Sequence, residues 1–158
     1  MVEGSPELKA VFQYHPDWKA TGSRVLWIYP EGLRRSLVWL KKQYGDVEIV
    51  VTENGYSSKI NNREDTDRIN FIKTYLEQLL LAIKEDGVNV TGYTVWSLMD
   101  NFEWGEGYGS MFGLYSVDFN NPSRPRTARQ SALYYANVIK AHNLDVTTSS
   151  TTNSSETN

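Results

Sequence analysis

The sequence contains no cysteine, and this absence excludes several kinds of chemistry. Without thiols the chain can form neither disulfides nor thiolate metal sites, and it has no cysteine nucleophile. Histidine is almost as scarce: His15 and His142 are the only two, and neither belongs to a recognisable motif. We therefore expect both histidines to lie at the surface, and we predict no metal site and no cofactor.

An excess of one charge and long apolar runs are missing as well. Lysine and arginine total 16 against 19 acidic residues, which gives a net charge of −3. Without a basic stripe, neither nucleic acid nor an anionic membrane surface is an expected partner. No apolar run approaches the length of a membrane span, and residues 1–10 are too polar for a signal peptide. We nevertheless slightly favour secretion of the full-length protein, in which case sequons at Asn89 and Asn153 become relevant.

The remaining composition is that of an ordinary folded chain, apart from its aromatic residues. The 158 residues are 40% apolar and 22% charged, which is sufficient for one domain with a core. There are 5 tryptophans and 10 tyrosines, and several of them fall in predicted loops. Loop indoles are typical of sites for flat, hydroxylated ligands such as sugars, although packing is the commoner role of any single one.

Hydrophobic periodicity and stop signals predict alternating helices and strands from residue 30 onward. Asp65 or Thr66 is expected to cap the second helix. Residues 1–29 show no sustained period and are expected to form an irregular segment, and residues 146–158 are expected to form a disordered Ser/Thr/Asn tail with almost no apolar content to fold. The predicted elements are a helix over 30–44, a strand ending at 53, a helix from 65 or 66 to 86, a strand over 90–96, a β-like run over 114–119 and a helix over 127–142.

The order of these elements predicts an α/β fold. Both main strands are apolar on both faces, as expected of parallel strands covered by helices. Two parallel strands alone would leave unpaired edges and a partly covered sheet. The chain is therefore interpreted as part of a larger sheet, incomplete as a domain of its own.

Glu53 is the first candidate for chemistry because it directly follows a β-branched run and precedes Asn54 and Gly55. Both following residues tolerate positive φ, so the backbone could reverse after the carboxylate. The carboxyl end of a buried strand is where α/β proteins usually place their reacting groups. Taken alone, a glutamate at a strand end before Asn-Gly is more often a helix N-cap, a salt-bridge partner or a surface residue than a catalytic one. A second strand end, followed by the acids and indoles of residues 96–104, favours a functional site.

Three motifs together resemble the C-terminal third of glycoside hydrolase family 1, which contains β-glucosidases, myrosinases and lactase-like enzymes. They stand in the family's order, the first two lie one βα unit apart, and the resemblance covers about residues 27–144. It implies a (β/α)₈ TIM barrel in which residues 30–145 supply strands seven and eight with their helices. The motifs are Thr-Glu-Asn-Gly at 52–55, Trp-Ser-Leu-Met-Asp-Asn-Phe-Glu-Trp at 96–104 and Phe-Gly-Leu-Tyr-Ser-Val-Asp-Phe at 112–119.

The resemblance also implies roles for particular residues. Glu53 would be the nucleophile of a retaining mechanism, and Trp96 would stack under the glycone ring. Glu103 would accept hydrogen bonds from the 4- and 6-hydroxyls, Trp104 would donate its indole N–H to a neighbouring hydroxyl, and Phe112 would line the floor. Taken singly, each could be a packing or surface residue, but their combination is hard to explain by packing. Asp100 and Asn101 are interpreted as hydrogen-bonding residues that shape the loop.

The family's acid/base glutamate lies in a Thr-x-Asn-Glu-Pro motif that these 158 residues do not contain. We therefore expect a β-glycosidase fragment, inactive alone, whose partners are a β-glycoside, most readily a glucoside, and the missing N-terminal part of the barrel. A noncatalytic sugar-binding module and a nonfunctional remnant are the alternatives. Glucose, galactose and fucose are not distinguished as glycones.

Overall fold

A pair of parallel strands with helices packed on it forms the centre of the protein, seen in a computed structural model that describes residues 14–148. The central strands are β3 and β4, and the helix α2 connects them. In chain order the elements are β1 (Lys19–Ala20), β2 (Trp27–Ile28), α1 (Pro30–Tyr44), β3 (Ile49–Asn54), α2 (Thr66–Lys84), β4 (Val90–Val95), a 3₁₀ turn (Trp104–Glu106), β5 (Tyr115–Val117), β6 (Arg126–Ala128) and α3 (Gln130–Ala141).

The helix α1 has the predicted bounds. Pro30 occupies its first position, where a backbone N–H would have no acceptor within the helix, so proline loses no hydrogen bond there. Gly45 ends the helix with a φ of +80°. Leu37 is buried against α2, as the periodicity predicts. Tyr44, the last residue of the helix, is exposed, and its ring packs edge-on against the exposed Trp39.

The strands β3 and β4 pair in parallel, as predicted, with Ile49 opposite Val90 and Asn54 opposite Val95. Helices cover the sheet through separate apolar clusters. One cluster joins α1 and α2 to the start of the strands, and the other joins α2, β4 and α3. Val50, by contrast, is largely exposed. The buried members of the clusters are Leu37, Leu79, Ala82 and Val88 in the first, and Ile72, Leu76, Val95, Leu114, Ala132, Tyr134 and Val138 in the second.

The last helix begins later than the sequence predicts. Residues 127–129 were expected to be helical, but Arg126–Ala128 forms β6, which pairs antiparallel with β5. Because ladder pairing requires extended backbone, the helix α3 starts only at Gln130. It ends at Ala141, after which His142 adopts a left-handed conformation with a φ of +50°.

Residues 1–29 were predicted to be irregular, and the described part of that segment, residues 14–29, contains one short pair of strands. The strands β1 and β2 pair antiparallel over two residues each, with Lys19 opposite Ile28. Residues 1–13, including the stretch judged too polar for a signal peptide, lie outside the described residues. Most of the predicted tail, residues 149–158 with the sequon at Asn153, also lies outside them, whereas Val146 packs against the second apolar cluster.

The start of α2 differs from the prediction in its capping. Asp65 precedes the helix but makes no side-chain cap hydrogen bond. Its carboxylate instead pairs with Arg68 and accepts a hydrogen bond of 2.9 Å from the backbone N–H of Ser131. The residue expected to cap one helix therefore connects it to the start of another. Across residues 14–148 no helix combines the length and hydropathy needed to cross a bilayer.

Candidate functional site

A cavity of about 460 Å³ lies at the carboxyl ends of β3 and β4. All five site residues predicted from the sequence line it. The carboxyl ends of adjacent parallel strands meet at one edge of a sheet, and this geometry brings motifs more than forty residues apart in the chain together. The lining consists of the predicted Glu53, Trp96, Glu103, Trp104 and Phe112 together with Thr21, Leu26, Trp27, Asn54, Gly55, Phe71 and Tyr75.

Glu53 is the penultimate residue of β3, and its side chain is exposed at the cavity. Asn54, the next residue, attaches this strand end to β4 and to Trp96 directly after it. The Asn54 side-chain oxygen accepts a hydrogen bond of 2.8 Å from the Tyr93 hydroxyl, and its backbone oxygen accepts one of 3.0 Å from the Trp96 N–H. The Glu53 carboxylate thus stands on an anchored backbone.

Gly55 is required for a different reason from the one predicted. The sequence indicated that Asn54 and Gly55 tolerate a positive φ, but neither residue uses that freedom. A Cβ on Gly55 would instead lie 1.8 Å from the carbonyl oxygen of Trp96, far inside contact distance. Glycine is needed here because the backbones after β3 and β4 approach each other too closely for any side chain.

Trp96 and Glu103 form one unit within the cavity. The Trp96 indole Nε1 donates a hydrogen bond of 3.1 Å to Oε1 of Glu103. Glu103 is only 9% exposed, whereas Trp96 is half-buried with part of its surface facing the cavity. Because each orients the other, a flat ring and a carboxylate are presented together to any ligand.

Trp104 and Phe112 both line the cavity but differ sharply in exposure. Phe112 is 5% exposed and forms part of the packed wall of the cavity. Trp104 is 85% exposed and begins the 3₁₀ turn with a φ of +48°. Its indole therefore stands at the mouth of the cavity.

The loop between β4 and β5 is held by a buried ion pair that the sequence did not reveal. Arg129 donates hydrogen bonds of 3.0 and 2.9 Å to the two carboxylate oxygens of Asp100, and Asp100 Oδ1 accepts one of 2.9 Å from the Gly113 N–H. Asn101 donates to the Ser97 hydroxyl at 3.2 Å. The prediction that Asp100 and Asn101 shape this loop through hydrogen bonds is confirmed.

Arg68 is the second buried cation that supports the site. It pairs with Asp65 and donates a hydrogen bond of 2.8 Å to the backbone oxygen of Met111, beside Phe112. One signal could have identified it: Arg68 lies on the same helical stripe as the buried Ile72 and Leu79, where an unpaired charge would be costly. No comparable sequence signal points to Arg129.

Glu106 is a third feature that the motifs did not single out. Its carboxylate accepts hydrogen bonds from the Arg24 backbone N–H at 2.7 Å and the Ser23 hydroxyl at 3.4 Å, and a further one from the Ser110 hydroxyl. These hydrogen bonds, the one from Arg24 foremost, hold the pKa of Glu106 below its usual range. Ser110 in turn shares a hydrogen bond of 3.0 Å with Ser57, in the loop that follows β3.

Both histidines are exposed, as predicted. Within the described part of the chain, no group of three or more histidine or acidic side chains is arranged to hold a metal ion.

Comparison with known proteins places these features in a family. The chain is 53% identical over 124 residues to lactase/phlorizin hydrolase of Homo sapiens, covering 78% of this chain and 6% of that protein. It is 51% identical over 110 residues to myrosinase 1 of Brevicoryne brassicae, covering 70% of this chain and 24% of that protein. The chain thus spans a quarter or less of the length of these relatives.

Solved structures agree with the sequence relatives. Aphid myrosinase superposes with a TM-score of 0.73 at 46% identity, over 80% of this chain and 26% of that one. A GH1 β-glucosidase from the fungus Humicola insolens in complex with glucose superposes with a TM-score of 0.73 at 38% identity, over 78% and 27%. The parallel β3–β4 pair with its helices is accordingly part of the TIM barrel of these enzymes. The sequence profile of glycosyl hydrolase family 1 matches residues 2–144, and the chain belongs to that family.

Proposed function

We propose that this chain carries the nucleophile and the glycone-binding wall of a retaining β-glycosidase, with β3 and β4 as strands seven and eight of its barrel. One observation carries the proposal: Glu53 shares a single cavity with Glu103 and with the indoles of Trp96 and Trp104. Retaining glycosidases react through carboxyl groups, and flat aromatic rings provide a surface on which a sugar ring can stack.

Each proposed role has support in the surroundings of its side chain. Glu53 is exposed at the cavity, where it can reach an anomeric carbon as nucleophile. Trp96 presents a ring against which a glycone can stack. Trp104 stands free at the mouth to donate its indole N–H to a sugar hydroxyl, and Phe112 packs as the floor. The Humicola insolens relative, solved with glucose, supports a β-glucoside as substrate.

Glu103 is proposed as an acceptor for sugar hydroxyls rather than as the acid/base. Retaining enzymes place their two reacting carboxyls about 5 Å apart, and one of them must exchange protons with the leaving group. Glu103 is buried, and its Oε1 already accepts the Trp96 N–H. We propose that the acid/base carboxyl belongs to another part of the barrel, with which β3 and β4 would assemble.

A 2-deoxy-2-fluoro-β-glucoside with a dinitrophenolate leaving group tests the assignment of Glu53. This reagent needs a glycone site and a nucleophile but little acid assistance, so the 158-residue protein should acquire one covalent glycosyl group. Intact-mass analysis and peptide mapping should place the group on Glu53, and Glu53→Gln should remain unlabelled. Glu48→Gln is the matched control, because Glu48 precedes the same strand at its other end, where it accepts a hydrogen bond from Thr91.

Three other outcomes would contradict the proposal, and they can be told apart. Labelling elsewhere would reassign the nucleophile. Absent labelling with measurable glucose binding would indicate a noncatalytic sugar-binding module. Absent labelling together with a lost near-ultraviolet circular dichroism signal would indicate a polypeptide without tertiary structure.

A further inference from the structure

Glu106 does not line the cavity, yet its carboxylate holds together segments that do. On one side it accepts the hydrogen bonds from Ser23 and from Arg24. These residues lie between Thr21 and Leu26, which line the cavity. On the other side Glu106 closes the 3₁₀ turn that begins with Trp104. One side chain therefore joins the amino-terminal wall to the wall that carries the indole.

The loop after β3 belongs to the same set of hydrogen bonds. Ser110 donates to Glu106 and also shares a hydrogen bond of 3.0 Å with Ser57. The Ser57 backbone oxygen accepts a hydrogen bond of 2.7 Å from the Gly22 N–H. Three of the segments that line the cavity, within residues 21–26, 53–58 and 103–112, thus meet at or next to one carboxylate. We call Glu106, Ser23, Arg24, Ser57 and Ser110 the Glu106 cluster.

The position of Trp104 depends on this cluster because Trp104 has little packing of its own. Its side chain is 85% exposed. The turn that carries it is closed by a hydrogen bond of 2.9 Å from the Glu106 N–H to the Glu103 oxygen, and by one of 2.8 Å from the Glu103 N–H to the Gly107 oxygen. These backbone bonds do not involve the Glu106 side chain; its carboxylate links the closed turn to Ser23 and Arg24, and so restrains the backbone from which both Glu103 and Trp104 project.

The charge of Glu106 strengthens the arrangement. Its side chain is only 19% exposed, and the Arg24 guanidinium lies 3.7 Å away. Hydrogen bonds to a charged acceptor in partly dry surroundings are stronger than those between neutral groups. No other described acidic side chain joins residues 21–26 to residues 103–112.

We propose that Glu106 is a positioning residue that sets the distance between the Trp104 turn and the residue 21–26 wall, and thereby the affinity of the cavity for a glycoside. The inference rests on the proposed function for its ligand, but it concerns a residue that does not touch the sugar. Glu106 acts through Trp104 and Glu103. Its loss should weaken ligand binding without slowing the covalent step at Glu53.

The test compares Glu106→Ala, Glu106→Gln and Glu64→Ala in the 158-residue protein. Hydrogen–deuterium exchange reports the Trp104 turn directly, without any sugar. Glu106→Ala loses hydrogen bonds to a charged acceptor, so the amides of residues 103–109 should exchange about tenfold faster or more. The amides of the buried part of α2, around Ile72, should be unchanged. Glu64 is exposed and remote from the cluster, so Glu64→Ala should match the parent protein.

Labelling by the 2-fluoroglucoside separates positioning from chemistry. For Glu106→Ala, the reagent concentration that gives half-maximal rate should rise about tenfold, while the labelling rate at saturation stays within about twofold of the parent. Glu106→Gln should recover most of the affinity, because its amide oxygen can accept the Arg24 N–H and its amide nitrogen can donate to Ser110. If Glu106→Ala fails to fold, Ser110→Ala removes one donor and should give a smaller increase of about threefold or more.

Unchanged exchange at residues 103–109 in a folded Glu106→Ala protein would overturn the inference. Uniformly faster exchange across α2 would also overturn it, because Glu106 would then support the fold as a whole. A lower saturating rate with unchanged half-maximal concentration would assign Glu106 to the chemistry instead. A parent protein that is never labelled would refute the proposed function, while the exchange experiment would still decide whether Glu106 holds the turn.

Discussion

At the scale of single residues, close backbone approach decides where glycine is required in the site. Gly55 faces the Trp96 carbonyl, and a Cβ on Gly113 would lie 2.2 Å from the Asp100 nitrogen and 2.3 Å from the Tyr115 oxygen. Neither glycine adopts a positive φ, so both are needed for space rather than for an unusual conformation. These contacts bring the loops after β3 and β4 together around the cavity.

Replacement of Gly55 by alanine should therefore destabilise the protein. The new Cβ would force the backbone near Trp96 to move, a cost of about 3 kcal/mol by analogy with overpacked cores. For a chain of this size that cost corresponds to a fall in Tm of roughly 6–12 °C in a thermal scan. Gly105→Ala is the control, because a Cβ on Gly105 meets no atom within 4 Å. Equal Tm values for the two variants would show that the close approach is not rigid.

At the scale of elements, an ionic contact joins α1 to the end of α2. Arg34 lies 2.6 Å from Asp86 and 2.7 Å from Glu85, and Lys41 donates a hydrogen bond of 3.3 Å to the Asp86 backbone oxygen. The pKa of Asp86 is lowered in the folded protein, mainly because its carboxylate accepts a hydrogen bond from Arg34. This contact and the apolar cluster around Leu37 hold the two helices side by side.

The lowered pKa of Asp86 predicts a pH dependence of stability. Because its folded pKa lies below the unfolded value of 3.8, the contact stabilises the fold above about pH 4 and is lost as the pH falls through the folded pKa. In thermal scans from pH 7 to pH 3, Asp86→Asn should lower Tm most at pH 7, and the difference from the parent should shrink as the pH falls below about 4. Asp46→Asn, at an exposed position, should follow the parent curve. A constant Tm difference at every pH would contradict this linkage.

At the scale of the whole molecule, the central one of the three two-stranded sheets within residues 14–148 consists of two parallel strands, and the chain spans about a quarter of its solved relatives. The largely exposed Val50 and the unpaired strand edges within residues 14–148 are what a segment of a barrel presents. The cavity contains a candidate nucleophile and a candidate sugar-binding wall, and we propose that both act with groups from the rest of the barrel.

We therefore predict that the pure 158-residue polypeptide hydrolyses aryl β-glucosides at a rate near background. General acid assistance to the leaving group typically contributes 10²–10⁴-fold, and in our proposal that carboxyl comes from elsewhere in the barrel. A continuous nitrophenolate assay, with Glu53→Gln as the measure of background, checks this. Robust turnover that disappears in Glu53→Gln would show that this chain supplies its own acid/base.

Local patterns were sufficient to predict most elements and the residues around the cavity. The spacing of apolar residues, Pro30 and Gly45 predicted α1, and β-branched runs predicted β3 and β4. The family motifs identified Glu53, Trp96, Glu103, Trp104 and Phe112, which the structure brings to one cavity. These signals are readable because helix and strand periods, and motif spacing, are properties of neighbouring residues in the chain.

Contacts between distant residues were decided only by the tertiary structure. Arg126–Ala128, predicted in part as the start of a helix, is a strand because it pairs with β5. Asp65 does not cap its helix because its carboxylate accepts a hydrogen bond from Ser131 instead. Gly55 is required because the backbone after β4 lies against it. Glu106 accepts a hydrogen bond from Arg24, which is 82 residues away in the sequence. The sequence by itself determined which groups reach the cavity. How its walls are held was decided by close approach and by long-range hydrogen bonds, whose partners no local pattern specifies.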